Sequence, residues 1–116
     1  MRGRIRHLRR DERGMTLVVV GGGFMAFMAA TTLAVDVGMF MTARSQAQNA
    51  ADAGALAGAV ALVFNDFDNR TASGPAVQSA IGAARANQVV RGEVSVLPAD
   101  VTFPAGPAGN NRVQVT

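Results

Sequence analysis

The stretch that decides the fold is residues 15–35, MTLVVVGGGFMAFMAATTLAV, an uncharged run of 21 residues near the start of the chain. Its polar side chains are those of Thr16, Thr31 and Thr32. As a helix it would measure about 31 Å, which is the thickness of a bilayer core. Three consecutive glycines would weaken such a helix in water by about 1 kcal/mol each, but unpaired backbone groups cost more in lipid. We therefore expect residues 15–35 to form a transmembrane helix.

Charge is distributed unevenly around this span. Residues 1–13 contain six arginines and two acidic residues, a charge of +4, whereas the rest of the chain holds five arginines and six acidic residues, a charge of −1. Positive charge before an apolar span predicts a cytoplasmic N-terminus and an extracytoplasmic remainder. The leader has no aromatic residue for base stacking, so we expect no nucleic-acid partner. A cleavable signal peptide stays open as an alternative, although its apolar segment usually has about 7–15 residues.

The helix is expected to continue beyond the span. Residues 36–64 lack proline and mix polar residues with Ala, Leu and Val at helical spacing. The Asn- and Asp-rich residues 65–70 break this pattern, and a loop leads to a second helix from Pro75 to about residue 87. The apolar face of that helix is predicted to hold Val77, Ile81, Ala84 and Gln88.

Short strands are expected in the last part of the chain. Alternating apolar residues after Gly92 predict one or two strands, and residues 112–116 begin another. Because the sequence ends within a strand pattern, we expect it to be truncated from a longer chain. The predicted fold class is α+β and mainly helical, with a long N-terminal helix, a short helix and a few antiparallel strands. The predicted organisation is a basic cytoplasmic leader (1–14), a transmembrane helix (15–35), its extracytoplasmic continuation (36–64) and a small α+β head (65–116).

Small side chains recur at every fourth position along the predicted helix. Positions four residues apart share one face, so such a stripe lets the backbone of another helix approach closely. An Ala- and Gly-rich composition also produces this spacing by chance, and that alternative stays open. We interpret the stripe as a surface that packs lengthwise against copies of the chain or close relatives. Its predicted helix-packing residues are Gly22, Ala26, Ala30, Ala34, Gly38, Ala50, Gly54 and Gly58.

The sequence offers no arrangement suited to catalysis. It contains no Cys and no Lys, its single histidine, His7, lies in the leader, and none of its four serines has a histidine nearby. A nucleophile and its base therefore cannot be paired within the chain. Residues 65–69 alternate oxygen ligands like the start of a calcium loop, but Arg70 occupies the third ligand position. We expect no enzyme activity, metal, cofactor or small-molecule substrate.

Three motifs flank the apolar span: DERG at residues 11–14, LAVDVG at 33–38 and ARSQAQNAADAGALAGA at 43–59. Together they resemble the N-terminal region of the TadE/TadG-like proteins of the tight-adherence (Flp) pilus system. The resemblance covers about residues 11–59. The family-motif positions are Glu12, Arg13, Gly14, Asp36, Gly38, Arg44, Gln48, Ala51, Asp52, Ala53, Leu56, Ala57 and Gly58.

This resemblance implies a pilin-like structural protein of pilus assembly or secretion, anchored by a single span in the bacterial inner membrane. Its implied partners are the lipid bilayer, other pilin-like or pilus-assembly proteins, and further copies of itself. A type IV prepilin leader is similar but carries Glu five residues after the cleavage glycine, where this chain has Val19, so we expect the leader to be retained. The alternative function is an exported binding or adhesion protein whose N-terminal segment is only a signal or anchor.

Larger TadG-like proteins can also carry a von Willebrand factor type A domain. The metal motif of that domain places serines two and four residues after an aspartate. This sequence has no such run, so the adhesion role of that domain is not carried over to this chain.

Overall fold

The chain folds mainly as helix, with short antiparallel strands towards its end. A computed structural model describes residues 12–106 and 111–116, with side chains described from residue 14 onward. Helices account for 67% of the described residues, and the predicted α+β, mainly helical class is confirmed. In chain order the elements are α1 (Glu12–Phe64), α2 (Pro75–Ala86), β1 (Gln88–Val89), β2 (Gly92–Glu93), a 3₁₀ turn (Pro98–Asp100), β3 (Val101–Thr102) and β4 (Gln114–Val115).

Two compact units divide the chain, Met1–Gly38 and Met39–Thr116. The first unit is described from residue 12 onward, where it consists of the first part of α1. Every side chain described in this unit is exposed. The predicted leader falls mostly on residues 1–11, which lie outside the described residues.

The end of α1 is set by side chains that compete for backbone hydrogen bonds. The carbonyl oxygen of Ala61 accepts two hydrogen bonds from Asn65, one from its backbone N–H at 3.0 Å and one from its side-chain amide at 2.9 Å. The Asp66 carboxylate then accepts a hydrogen bond from the backbone N–H of Asp68 at 3.1 Å, which forms a local turn. These contacts explain why the helix stops at Phe64, where the sequence predicts its end.

The second unit is held together by the apolar face of α2. Pro75 occupies the first turn of this helix, where its missing N–H and fixed φ are tolerated. The buried residues of α2 are Ala76, Val77, Ala80, Ile81 and Ala84. Gln88, predicted on the same face, instead lies in β1 and is exposed, because α2 ends at Ala86. The residue that follows, Asn87, bonds its side-chain amide back to the carbonyl oxygen of Ala83 at 2.9 Å.

Strands β1 and β2 form an antiparallel hairpin that the sequence does not predict. Gln88 pairs with Glu93 and Val89 with Gly92. The two residues between them, Val90 and Arg91, both have positive φ, 49° and 63°. Positive φ at both positions is the geometry of a type I′ turn.

Strands β3 and β4 form a second antiparallel pair, with Val101 opposite Val115 and Thr102 opposite Gln114. The pair packs on α2 through the main core of the unit. Buried side chains of that core are those of Val77, Ala80, Ile81, Ala84, Val96 and Val101, and partly buried ones pack around them. The short segment that follows α2 therefore covers the apolar face of this helix by folding into paired strands.

Candidate functional site

The apolar part of α1 is the first candidate functional surface. Within the described residues, one helical stretch, Gly14–Phe64, is long and apolar enough to cross a membrane, with a mean hydropathy of 1.9 in its most apolar window. None of that window is buried within the chain. Large apolar side chains point outward around it, including Leu17 at 75% exposure and Met25 at 76%. An apolar surface of this extent needs a covering that the described chain does not provide.

Two threonines inside this stretch have satisfied hydroxyl groups. Thr31 Oγ1 donates to the carbonyl oxygen of Phe27 at 2.8 Å, and Thr32 Oγ1 donates to that of Met28 at 2.9 Å. Each hydroxyl therefore uses its own helix as a partner. This removes the cost of placing an unpaired donor in an apolar environment.

The small-residue stripe divides into two parts with different surroundings. In the first unit, Gly22, Ala26, Ala30, Ala34 and Gly38 are all exposed. A Cβ atom added at Gly22 or Gly38 would meet nothing within 4 Å. This inner part of the stripe is open to a neighbouring helix.

The outer part of the stripe, Ala50, Gly54 and Gly58, is buried. A Cβ at Gly54 would lie 2.9 Å from the carbonyl oxygen of Ala80, and one at Gly58 would lie 3.2 Å from the Ala80 Cβ. These distances show that α2 packs directly on the backbone of α1. The chain itself therefore covers the outer stripe, so this face is not available to a second molecule while α2 is in place.

Four of the residues predicted to belong to the family motif, Arg44, Gln48, Ala51 and Asp52, lie on one flank of α1. Together with β4 they line an open cleft of about 580 Å³. The Gln48 amide donates to the Asp52 carboxylate at 3.1 Å, an i to i+4 pair on the helix surface. Arg44 has no hydrogen-bond or ion-pair partner within the described part of the chain.

The opposite flank of α1 carries Ala53, Leu56 and Ala57. With Val60 and Phe64 they line an apolar groove of about 550 Å³ between α1 and α2. Leu56 is 68% exposed and Phe64 82% exposed. The predicted motif residues therefore lie on three sides of α1: one side packs against α2, one lies beside β4 and one lines this groove.

The remaining motif residues lie in the first part of α1. Glu12 and Arg13 belong to the helix, and Gly14 and Asp36 are exposed positions within it. In the described ranges, no three His, Cys, Asp or Glu side chains come close enough to hold a metal ion. The candidate functional features of the described residues are therefore the packing surfaces and the clefts along α1.

Two features of the second unit were missed by the sequence reasoning. The Gln46 side-chain carbonyl accepts a hydrogen bond from the backbone N–H of Val90 at 2.7 Å, which ties the first hairpin to α1. The Arg70 guanidinium lies over two rings, 4.7 Å from the centroid of Phe67 and 5.3 Å from that of Phe103. The contacts of Gln46 with Val90 and of Arg70 with Phe103 have no sequence signal, because they join residues that are far apart in the sequence and meet only in the folded chain.

Comparison with known families gives one result. Residues 14–61 match the family model described as Flp pilus-assembly TadE/G-like (Tad). The match covers the second and third motifs and Gly14 of the first, confirms the resemblance to this family, and supports a pilus-related component. No curated protein and no solved structure matches the chain significantly.

Proposed function

From the TadE/G-like match over residues 14–61, we propose that this chain is a membrane-anchored, pilin-like structural component of a Tad/Flp pilus assembly or secretion system. Residues 15–35 cross the bacterial inner membrane once. The leader, residues 1–14, lies in the cytoplasm, and residues 36–64 and 65–116 lie outside it. The protein serves as a structural component and carries out no reaction.

The observation that carries this proposal is the exposed apolar stretch of α1. A helix buried in a soluble core has its apolar face covered by the protein, whereas none of the most apolar window of α1 is covered. Lipid covers such a surface on all sides, which agrees with apolar side chains pointing outward all around the helix. The internal hydrogen bonds of Thr31 and Thr32 fit the same environment.

The proposed orientation of residues 15–35 across the membrane rests on the charges that flank them. The six arginines before the span outweigh the charge just after it, where Asp36 is the first ionisable residue and Arg44 the second. Arginine-rich segments next to a span remain on the cytoplasmic side. Residues after the span are therefore exported.

The exposed inner stripe gives the anchor a packing role. Helices associate in lipid through close van der Waals contact, which small residues permit. Because α2 occupies Gly54 and Gly58, we assign intermolecular packing to Gly22, Ala26, Ala30, Ala34 and Gly38 alone. Their partners are the spans of other pilin-like subunits or of further copies of the chain.

A topology experiment tests the proposal. A reporter enzyme that is active only outside the cytoplasm is fused after Phe64, and a second fusion places the same reporter before Met15. We expect activity from the first fusion alone, with the first fusion protein retained in membranes after carbonate washing. The second fusion is the matched control, since it differs only in its position relative to the span.

Two outcomes would contradict the proposal. Activity of the reporter before Met15 would reverse the orientation. Recovery of a soluble exported form that starts near Val35 would identify the apolar stretch as a cleaved signal. That result would favour the alternative of an exported binding or adhesion protein.

A further inference from the structure

Within residues 12–106 and 111–116, strand β4 has one edge that pairs with no other strand. It pairs with β3 through its other edge, where the Thr116 N–H donates to the carbonyl oxygen of Asp100 at 3.1 Å. Backbone groups alternate in direction along an antiparallel strand. The N–H and C=O of Val113 and Val115 therefore point away from β3, and among the described residues they have no hydrogen-bond partner.

The cleft beside β4 lies against this unpaired edge. Its walls are residues 113–116 and the flank of α1 from Arg44 to Ala55, and no residue of β3 lines it. From Arg44 to Ala55 the helix rises about 16 Å, which is the length of about five residues of extended chain. The floor is formed by Ala47, Ala51 and Ala55, whose small side chains leave room above the helix.

The two charged side chains of the cleft, Arg44 and Asp52, lie at different points along its length. Val115 packs at Gly54 and Val113 at Gly58, so β4 runs towards the Arg44 end of α1. Arg44 is exposed and unpaired within the described part of the chain, whereas Asp52 lies two helical turns away. An occupant with a carboxylate at one end and a cation about four residues later would meet both charges, because alternate residues of a strand face the same side.

We propose that this cleft binds an extended segment of a partner protein, which adds to β4 as a third strand. Its backbone pairs with Val113 and Val115, its small side chains lie over the alanine floor, and its carboxylate meets Arg44. Addition of a strand to an exposed sheet edge is a general mode of peptide recognition. The inference goes beyond the proposed function and uses only residues of the second unit, so it does not depend on membrane anchoring.

The test uses the full chain, ¹⁵N-labelled in detergent micelles, and a capped probe peptide, Asp-Thr-Ala-Thr-Lys. This order suits antiparallel addition, the commoner arrangement of strands. We expect saturable shifts of the Val113 and Val115 amide resonances. The same peptide with all its backbone amides N-methylated should bind at least about tenfold more weakly, because N-methylation removes the N–H donors that pair with the strand edge.

Protein variants locate the binding surface. Ala51→Leu fills the floor and should weaken binding at least about tenfold, whereas Ala57→Leu, the same change on the opposite flank, should leave it unchanged. Arg44→Gln should weaken binding by up to about fivefold, as for an exposed ion pair. Hydrogen exchange of the Ala80 amide, measured in each variant, checks that α2 remains packed.

The outcomes separate clearly. Saturable binding that requires the peptide N–H groups and is lost in Ala51→Leu but kept in Ala57→Leu supports the strand-docking cleft. Absence of shifts at Val113 and Val115 overturns it, as does equal binding of the N-methylated peptide. Equal weakening by Ala51→Leu and Ala57→Leu overturns the assignment to this flank of α1. None of these outcomes alters the reporter test of membrane topology.

Discussion

The close contact between α1 and α2 predicts a packing cost for any side chain larger than hydrogen at Gly54. In Gly54→Ala the new Cβ would lie 2.9 Å from the carbonyl oxygen of Ala80, 3.1 Å from the Ala84 Cβ and 3.3 Å from the Val115 Cγ2. The nearest atom belongs to the backbone, so a side-chain rotation cannot relieve the overlap. The helices must therefore move apart.

The control is Gly82→Ala, which makes the same chemical change in α2. Gly82 is exposed, and a Cβ there would meet nothing within 4 Å. Each substitution gains about 1 kcal/mol of helix propensity. That gain cancels in the comparison, and the difference that remains is the cost of overpacking, about 1–3 kcal/mol. We expect Gly82→Ala to stabilise the second unit and Gly54→Ala to be neutral or destabilising.

Hydrogen exchange in the full chain, in micelles, measures this difference. Opening of the contact between α1 and α2 exposes the amides of Ala80 and Ala84, so their protection reports its free energy. A difference of about 1–3 kcal/mol corresponds to a ratio of protection factors of roughly five to 160 between the two variants. Equal protection in Gly54→Ala and Gly82→Ala would refute the reasoning, because it would mean that α2 does not rest on the backbone of α1.

Three further predictions concern the rest of the chain. Mass analysis of the purified protein should show the arginine-rich leader still attached, because Val19 replaces the prepilin glutamate, and a mature start at Met15 would contradict this. In a membrane two-hybrid assay Ala30→Leu should weaken association by about 1 kcal/mol and Met28→Leu should not, whereas unchanged signals in both would indicate that the small-residue spacing is compositional. Replacing Val90-Arg91 by Asn-Gly should stabilise the first hairpin by about 1–2 kcal/mol and slow its amide exchange, unless the turn lacks positive φ.

The long elements were readable from the sequence because their signals are local. The uncharged run and the absence of proline predict one helix to residue 64, and α1 ends there; the helix is already present at Glu12, the first described residue. Pro75 predicts the start of α2. Its end is predicted at about residue 87, and Asn87 is the residue that caps the helix, with an extended backbone of φ −95° and ψ 126°.

The first hairpin was missed for an equally local reason. Type I′ turns favour Asn and Gly, which adopt positive φ easily, whereas a β-branched residue such as Val90 rarely does. The side-chain carbonyl of Gln46, 44 positions earlier, accepts a hydrogen bond from the Val90 N–H and so supports the turn. A turn supported by so distant a residue leaves no pattern in its own sequence.

The candidate surfaces were predictable only in part. Four-residue spacing places Ala30 and Gly54 on equivalent stripes, but it does not distinguish a face open to other molecules from one covered by the same chain. That distinction depends on α2, whose alanines Ala80 and Ala84 lie against Gly54. The cleft beside β4 also depends on tertiary structure, because its walls lie about 60 residues apart in the sequence.

The glycine contact between α1 and α2 also has a mechanical consequence. Its attraction comes from backbone and methyl groups at short range, and a gap of about 0.5–1 Å already forfeits a quarter to a half of such dispersion energy. Long interdigitating side chains would keep some contact as two helices slide or tilt, but Gly54 and Gly58 have none. Under a pulling force on this unit, the contact between α1 and α2 would therefore resist with little deformation, and α2 would then separate abruptly.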